Sequence, residues 1–393
     1  MPSKRPNLVN LQLNTSEKAV SITDTMTLVV KGDGGVEVRV KDSGIASSTA
    51  ATADVGEYKS ENSVTVNEKI RFEDLQTSRV LGKGSQGKVK LVRHVTTGKT
   101  YALKYIQFDG DTEDMREAIG SELRQVTALK HKNLVTSHEA YFREGRLYIV
   151  LEYMDAGSMA DVLKRRSDGF SEEMLAYVAR ELLRGLEHLH SLKMIHRDIK
   201  PVNVLANSSG EVKIADFGVA KKLSDGDVGT RSSHQYADAP HLARFLTIGL
   251  DPWRSDHTCH WRKGRMSSML LGLLCGHAIY MSPERISGDV YSFRSDIWSV
   301  GLTLAECALG IYPYSALKDN LFDLLQAIAT QTATIDWKAS GRVYSPDFIN
   351  FVEKCLCHEA SRPSATELLQ HVFVQKAECV SAAEAGKWFI TKC

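Results

Sequence analysis

The sequence predicts an α+β fold of two lobes, a small antiparallel sheet followed by a larger and mainly helical part. Alternating apolar residues predict strands over residues 101–106 and 148–151. After Met154 the apolar residues recur with the period of a helix, most clearly over 172–190 and 295–309. Strands in one part of the chain and helices in the next are typical of α+β proteins.

Around these lobes the chain carries two appended segments. Residues 27–40 alternate about a Gly-rich turn and predict a short hairpin. The small residues at 43–52 predict a flexible linker, so the leading segment is expected to be partly disordered. The predicted divisions are a leading extension at 1–70, a small lobe at 71–153, a large lobe at 154–375 and a C-terminal tail at 376–393.

Composition excludes several kinds of protein. The 393 residues include 49 Lys+Arg and 48 Asp+Glu, so the net charge of +1 argues against a basic surface for nucleic acid. The seven scattered cysteines do not form a disulfide framework and favour a reducing compartment. Neither a signal peptide nor an apolar run near the roughly 20 residues of a membrane span is found. We therefore expect a cytoplasmic protein, with the nucleus as an additional location, that binds neither nucleic acid nor membrane.

A glycine-rich segment opens the small lobe. Residues 82–89 have the pattern G-x-G-x-x-G-x-V, in which glycines let the backbone approach a phosphate closely. A dinucleotide-binding site would need a helix to begin at Gly87. The residues after Gly87 alternate as a strand instead, which predicts a hairpin over phosphates.

A lysine and a glutamate are predicted to form an ion pair beside this hairpin. Lys104 shares the strand face of Ala102 and Ile106. Glu122 lies on the apolar stripe of a predicted helix at 112–130. A buried lysine and a buried glutamate explain each other as a pair.

The strongest chemical signal is the stretch His196-Arg197-Asp198-Ile199-Lys200-Pro201-Val202-Asn203, followed by Asp216-Phe217-Gly218. Asp198 could orient an attacking hydroxyl and accept its proton, and Lys200 could neutralise charge on a moving phosphoryl group. Asn203 and Asp216 offer hard oxygen ligands for Mg²⁺. The set predicts metal-assisted phosphoryl transfer.

With these motifs in this order, the sequence resembles the eukaryotic protein kinases over about residues 72–375. Ser282-Pro283-Glu284, the stretch 296–301 and Arg362-Pro363 match later landmarks of that family, and Glu284 is expected to pair with Arg362. Residues 151–158, 216–220 and 280–286 resemble the MAP kinase kinase branch.

The resemblance implies the two-lobed kinase fold, in which a sheet N-lobe with one helix precedes a helical C-lobe. It implies ATP and Mg²⁺ as cofactors and a dual-specificity enzyme that phosphorylates Thr and Tyr of a MAP kinase. This enzyme would in turn be activated by an upstream MAP kinase kinase kinase. In addition to Lys104, the implied ATP-binding residues are Leu81, Gly82, Lys83, Gly84, Ser85, Gln86, Gly87, Lys88, Val89, Ala102, the gatekeeper Leu151, Glu152 and Met154.

The extreme N-terminus carries a separate hint. Lys4 and Arg5 precede alternating apolar residues that include Leu11 and Leu13. An extended peptide of this kind can dock in a groove beside an acidic patch. MAP kinase kinases carry similar docking motifs for their MAP kinases.

The segment between Asp216 and Glu284 is longer than in the family, and the additional residues lie at about 229–276. Three interpretations stay open: a retained intron or faulty gene model, a genuine regulatory loop, or a metal site at His257, Cys259 and His260. His277 stands where the family has a Thr that supports the catalytic Asp.

Candidate regulatory phosphorylation sites in this segment are Ser224, Thr230, Ser232 and Ser233. A phosphate there could order the segment by pairing with Arg197. Two alternatives to the MAP kinase kinase reading stay open: a serine/threonine kinase of a neighbouring branch, and an ATP-binding scaffold disabled by the insert. The sequence leaves the oligomeric state undetermined.

Overall fold

The structure is a computed structural model, and it describes residues 20–22, 28–31, 37–41, 44–49, 70–84, 87–107, 129–144, 146–166, 168–217, 221–222, 278–317 and 320–391. Two sheets precede a helical region within these ranges. The predicted α+β arrangement of two lobes is confirmed.

The small lobe is a five-stranded antiparallel sheet in the order β5-β6-β7-β9-β8. The strands predicted around Lys104 and Leu151 are confirmed, with Ala102 opposite Leu151. β5 and β6 form the hairpin that the glycine pattern predicted, since Gly84 pairs with Gly87. The strands are β5 (Leu75–Gly84), β6 (Gly87–His94), β7 (Thr100–Gln107), β8 (Ser137–Arg143) and β9 (Arg146–Glu152).

The leading extension contributes a second antiparallel sheet, β1 (Val20–Ile22), β2 (Leu28–Lys31), β3 (Glu37–Lys41) and β4 (Gly44–Thr49). The predicted hairpin is confirmed, because Leu28 of β2 pairs with Val40 of β3. The prediction of a flexible linker at 43–52 was wrong for β4, which pairs with β3. Small side chains weaken packing, but hydrogen bonds to β3 pair the backbone groups on one side of β4 without help from its side chains.

The described part of the large lobe contains nine α-helices, and the two long helices predicted from periodicity are confirmed as α2 and α4. The helices are α1 (Met159–Arg165), α2 (Glu172–Ser191), α3 (Pro283–Ser287), α4 (Arg294–Leu309), α5 (Leu321–Ala329), α6 (Pro346–Cys355), α7 (Ala365–Leu369), α8 (Val372–Gln375) and α9 (Ala382–Ile390). Short strands β10 (Gly157–Ser158), β11 (Met194–Ile195), β12 (Val204–Ala206), β13 (Val212–Ile214) and β14 (Lys221–Lys222) complete the lobe.

Helix α4 is the buried axis of the large lobe. Fourteen of its residues are buried, all except Arg294 and Glu306. Gly301 lets α6 approach closely, because a Cβ there would lie 2.6 Å from the Cβ of Cys355. A helix buried on all sides is a firm support for whatever is bonded to it.

The segment that the sequence marked only as a C-terminal tail folds into α9, which begins at a capping box of Ser381 and Glu384. Trp388 packs edge-on against Phe170, and the Arg166 guanidinium lies 4.1 Å from the centre of its ring. Aromatic and cation–π contacts of this kind tie the segment to the large lobe. None of the described helices is long and apolar enough to cross a membrane.

The expected ion pair of Arg362 and Glu284 is present and buried. Arg362 Nη1 lies 2.7 Å and Nη2 3.2 Å from the two carboxylate oxygens. Burial alone would raise the pKa of Glu284, but the hydrogen bonds from Arg362 hold that pKa below its usual value. The pair links the start of α3 to the segment before α7.

Replacing Arg362 with methionine is expected to lower the unfolding free energy by about 3–5 kcal/mol, because it leaves the Glu284 carboxylate buried without its partner. Urea unfolding followed by circular dichroism measures the loss. Lys164→Met serves as the control, since Lys164 and Asp161 are an exposed pair worth at most about 0.5 kcal/mol. Equal losses for the two variants would contradict the stabilising role of the buried pair.

Candidate active site

The segment at 196–203 is held by one buried carboxylate of α4. Asp296 Oδ2 accepts a hydrogen bond from the His196 amide at 2.9 Å, and Oδ1 accepts one from the Arg197 amide at 2.8 Å. His190 Nε2 also contacts Oδ2 at 3.0 Å. Burial would raise the pKa of Asp296, but the hydrogen bonds from the His190 side chain and the His196 amide keep that pKa below its usual value. The ionised carboxylate therefore anchors the segment to the axis of the lobe.

This anchor supports a strained backbone. Arg197 has a φ of 72° and Asp216 a φ of 64°, in the left-handed region that non-glycine residues rarely adopt. Such conformations persist only where the surroundings over-determine them. The two bonds from Asp296 provide that constraint at Arg197.

His196 links the segment at 196–203 to the segment that carries Asp216. Its Nδ1 accepts a hydrogen bond from the Asp198 amide at 3.3 Å, so the proton lies on Nε2, which donates to the Ala215 carbonyl at 3.1 Å. Its ring packs edge-on against Phe217. Burial lowers the pKa of His196, and the neutral ring can make both bonds at once.

Three predicted residues meet around the Asp198 carboxylate. Lys200 Nζ lies 2.8 Å from Oδ1, and Asn203 Nδ2 donates to Oδ2 at 2.8 Å. Asn203 Nδ2 also donates to the Asp198 carbonyl at 2.8 Å. These contacts hold the carboxylate in one orientation, and the whole group is largely buried.

Across the cleft, the structure brings Lys104 to Asp216. Lys104 Nζ lies 2.8 Å from Asp216 Oδ1. Burial would raise the pKa of Asp216, but the Lys104 ammonium holds that pKa well below its usual range. The carboxylate is 43% exposed and ionised, so it is open to a cation from the cleft.

The oxygen atoms predicted to hold Mg²⁺ fit such an ion. Both Asn203 amide hydrogen bonds use Nδ2, which leaves Oδ1 as an uncommitted acceptor among the described residues. The Asp216 carboxylate supplies a second hard oxygen. Two protein oxygens plus phosphates and water are the usual environment of Mg²⁺ in phosphoryl-transfer sites.

The residues predicted to contact adenine lie where β9 leaves the sheet. Glu152 is fixed by its side chain, which accepts from the Thr136 amide at 2.6 Å and pairs with Lys213 Nζ at 2.8 Å. The Met154 amide makes no hydrogen bond with the described residues. An unpaired amide after the strand is suited to donate to a base.

Several predicted residues lie outside the described part of the chain. The pairing of Lys104 with Glu122 therefore stays a prediction, as does the phosphate contact of the loop tip. The residues concerned are Glu122, Ser85, Gln86, His277, the insert 229–276, the phosphosites Ser224, Thr230, Ser232 and Ser233, and the docking residues Lys4, Arg5, Leu11 and Leu13. For Lys83 and Gly84 the structure gives the strand alone.

Sequence reasoning missed two supporting residues. Asp296 was noted only as a family landmark, and its contacts with the catalytic segment depend on folding across about a hundred residues. Arg285 donates to the Arg197 carbonyl at 2.6 Å. Its place directly after Glu284 was the one available signal.

Burial of His196 predicts acid sensitivity. An unfolded histidine takes up a proton near pH 6.5, whereas the pKa of folded His196 is lower. Stability is therefore fully present above pH 6.5 and falls as the pH drops below it, by at most about 1.4 kcal/mol per pH unit for this group. The pKa is lowered in the same direction at His131, His138, His188 and His371.

Urea unfolding between pH 7.5 and pH 5 measures this dependence. His196→Gln keeps a donor and an acceptor without a titrating group, so its stability should fall less steeply with decreasing pH. An unfolding free energy that stays constant or rises toward pH 5 would contradict the destabilising effect of protonating His196.

Comparison with known proteins adds independent findings. The family profile described as protein kinase domain matches residues 75–242 and 262–374. The unmatched residues between these stretches lie inside the insert at 229–276.

Three plant proteins are similar over most of their length. Mitogen-activated protein kinase kinase 1c of Physcomitrium patens is 38% identical over 318 residues, which cover 78% of this chain and 78% of that protein. Mitogen-activated protein kinase kinase 1 of Arabidopsis thaliana is 35% identical, with 80% and 77% covered. Mitogen-activated protein kinase kinase SIPKK of Nicotiana tabacum is 37% identical, with 77% and 73% covered.

Proposed function

Since the chain belongs to the protein kinase family and is of the MAP kinase kinase type, we propose that it transfers the γ-phosphate of ATP to both a Thr and a Tyr in the activation loop of a MAP kinase. The protein kinase family uses ATP and Mg²⁺. The observation that carries the proposal is the oriented Asp198 carboxylate, held between Lys200 and Asn203.

In this proposal Asp198 orients the substrate hydroxyl and accepts its proton as the oxygen attacks phosphorus. Lys200 lies beside the same carboxylate and neutralises charge that develops on the transferred group. Asn203 and Asp216 would hold Mg²⁺, which when bound neutralises phosphate charge and aligns the leaving group. Lys104, which pairs with Asp216 in the structure, would contact phosphate oxygens of the nucleotide.

The nucleotide would lie between the β5–β6 hairpin and the end of β9. Val89 and Ala102 flank the adenine, and the Met154 amide donates to the ring. The Glu152 carbonyl accepts from the base, while the side chain of Glu152 stays bound to Lys213 and Thr136. The glycine loop covers the phosphates.

Regulation by phosphorylation is part of the proposal. Arg197 and Arg285 both lie over the Tyr291 ring, with guanidinium carbons 5.4 Å and 5.5 Å from its centre. Two cations held this close attract a phosphate. A phosphate added by an upstream kinase at Ser224, Thr230, Ser232 or Ser233 would pair with them and order the segment before α3.

We further propose that the N-terminal residues Lys4, Arg5, Leu11 and Leu13 dock the MAP kinase substrate. The basic pair suits an acidic patch, and the leucines suit an apolar groove. Such an encounter takes place in the cytoplasm or the nucleus.

The test uses purified full-length protein that has been phosphorylated by an upstream kinase, with Mg-ATP and a MAP kinase whose own activity has been removed by mutation. Mass spectrometry of the activation loop should find phosphate on both the Thr and the Tyr. The Asp198→Asn variant should form both products at least about 10²-fold more slowly.

Each other outcome overturns the dual-specificity proposal. Phosphate on Thr alone, or only on other proteins, would assign the chain to a neighbouring serine/threonine branch. Thermal stabilisation by ATP without any transfer, after phosphorylation by an upstream kinase, would assign a scaffold.

A further inference from the structure

Residues 153–156 form the hinge that joins β9 of the small lobe to β10 of the large lobe. The proposed adenine contact, the Met154 amide, lies in this hinge. The Gly157 amide donates to the Met154 carbonyl at 3.0 Å, which closes residues 154–157 into a turn. The direction in which the Met154 amide points therefore depends on what holds this turn in place.

Hydrogen bonds from several parts of the large lobe hold the turn. The Asp155 carboxylate accepts from the Ser208 amide at 2.7 Å and from the Ser208 hydroxyl at 2.6 Å. The Ala156 amide donates to the Ala206 carbonyl at 3.2 Å. The Ala156 carbonyl accepts from Arg165 Nη2 at 2.5 Å. Outside the short strand β12, the turn thus has two described supports, Ser208 and Arg165.

The C-terminal helix α9 lies against both of these supports. Its Phe389 carbonyl accepts a second hydrogen bond from Arg165 Nη2 at 3.0 Å, so one nitrogen atom joins the helix to the hinge. Gly386 packs closely on Ser208, because a Cβ at Gly386 would lie 2.1 Å from the Ser208 carbonyl oxygen. The helix therefore backs the hinge at two separate points.

Helix α9 is itself firmly seated on the large lobe. Ala385 and Phe389 are fully buried. Arg166 Nη2 donates to the Trp388 carbonyl at 3.0 Å. Arg165 and Arg166 thus place two positive charges at the C-terminal end of the helix, where the last carbonyls carry partial negative charge. A helix held in this way can keep the Arg165 guanidinium in one position.

We propose that Arg165 is a positioning residue for the nucleotide and that α9 holds it in place, so that the C-terminal helix sets the affinity of the cleft for ATP. The inference rests on the proposed nucleotide site at Met154 and not on which protein is phosphorylated. Without Arg165 the Ala156 carbonyl loses its side-chain partner, and the turn gains other conformations. A binding-competent state that is only partly populated weakens the observed affinity in proportion.

Isothermal titration calorimetry with Mg-ADP and the full-length protein tests the inference. Arg165→Met removes both hydrogen bonds of Nη2 and is expected to raise the dissociation constant roughly three- to tenfold. Gly386→Ala introduces the Cβ that meets the Ser208 carbonyl, so it displaces α9 without a change at Arg165 or in the hinge. It should raise the dissociation constant as well.

Arg294→Met is the matched control. Arg294 Nη1 also donates to two backbone carbonyls, those of Glu359 at 3.2 Å and Ala360 at 3.0 Å, and neither belongs to the hinge. This variant should lower the unfolding free energy about as much as Arg165→Met does. It should leave the dissociation constant for Mg-ADP unchanged.

Two further measurements separate positioning from a loss of stability. Hydrogen–deuterium exchange without nucleotide should be faster in Arg165→Met for peptides that cover 153–157, where the Ala156 and Gly157 amides are hydrogen-bonded. A role of Arg165 in α9 alone would accelerate exchange in α9 and leave the hinge as it is. In steady-state kinetics, KM for ATP should rise by the same factor as the dissociation constant, and kcat should fall by less.

ADP binding by Arg165→Met and Gly386→Ala that is as tight as in the parent protein would overturn the inference. An equal loss of affinity in Arg294→Met would also overturn it. If Arg165→Met unfolds during purification, Arg165→Lys keeps the charge but not the bridging nitrogen, and it should still raise the dissociation constant. A parent protein that binds no Mg-ADP would overturn the proposed nucleotide site and this inference together.

Discussion

Replacing Asp198 with asparagine is expected to lower kcat by about 10²–10⁴-fold, the range for loss of a general base. The carboxylate is the only group in the described site that both carries negative charge and lies between Lys200 and Asn203. Asparagine keeps the shape but has almost no basicity. The NH₂ group of the asparagine would face a donor, either Lys200 Nζ or Asn203 Nδ2, and cannot accept a hydrogen bond from it. The side chain at position 198 would therefore also lose its orientation.

Steady-state kinetics with an activated sample and a MAP kinase substrate measure this effect. The variant should still bind Mg-ATP, because Asp198 is not among the proposed nucleotide-binding residues. The increase in melting temperature on addition of Mg-ATP measures this binding. Turnover within threefold of the parent protein would contradict the role of Asp198. Loss of nucleotide stabilisation would mean that the substitution acts through the fold.

Replacing Asp296 with alanine is expected to affect both stability and turnover. The variant removes one acceptor from the His196 amide, the Arg197 amide and His190 Nε2 in a fully buried place. Unsatisfied groups of this kind cost about 3–5 kcal/mol in unfolding free energy. Without its anchor the left-handed Arg197 relaxes, and misplacement of Asp198 by about 1 Å costs about 10²-fold in rate.

Urea unfolding and kinetics on the same preparations separate the two substitutions. Asp198→Asn should lose turnover and lower the unfolding free energy less than Asp296→Ala does, because asparagine still offers one acceptor beside Lys200 whereas alanine leaves three groups without their acceptor. If Asp296→Ala unfolds during purification, Asp296→Asn supplies a milder test, because its remaining oxygen can still accept a hydrogen bond from the His196 or the Arg197 amide. Full activity of either Asp296 variant would refute the anchoring role.

Much of the fold could be predicted because its signals are local. The long helices α2 and α4 and the strands β7 and β9 follow apolar periodicity, and the structure confirms them. The glycine hairpin was distinguished from a dinucleotide site by the alternation after Gly87, which is β6 in the structure. The ordering of β4 was not predicted, because its stability comes from pairing with β3 rather than from its own small side chains.

The candidate site divides in the same way. Asp198, Lys200 and Asn203 lie within one short segment, so their meeting is set by local chain geometry and could be predicted from spacing. The contact of Lys104 with Asp216 joins residues 112 positions apart. The sequence proposed both residues for the site but assigned them to different partners.

By itself, the sequence determined the chemistry. The glycine loop, Lys104, Asp198, Asn203 and Asp216 occur in an order that specifies a protein kinase, because phosphoryl transfer needs these groups. The apolar periodicity predicted the strands and helices around them. Only the tertiary structure decided what supports them. Asp296 as the anchor of the segment at 196–203 and α9 as a folded segment both depend on packing between distant parts of the chain. Hydrogen bonds and cavities between remote segments leave no periodic trace in a sequence, since packing alone sets which atoms meet.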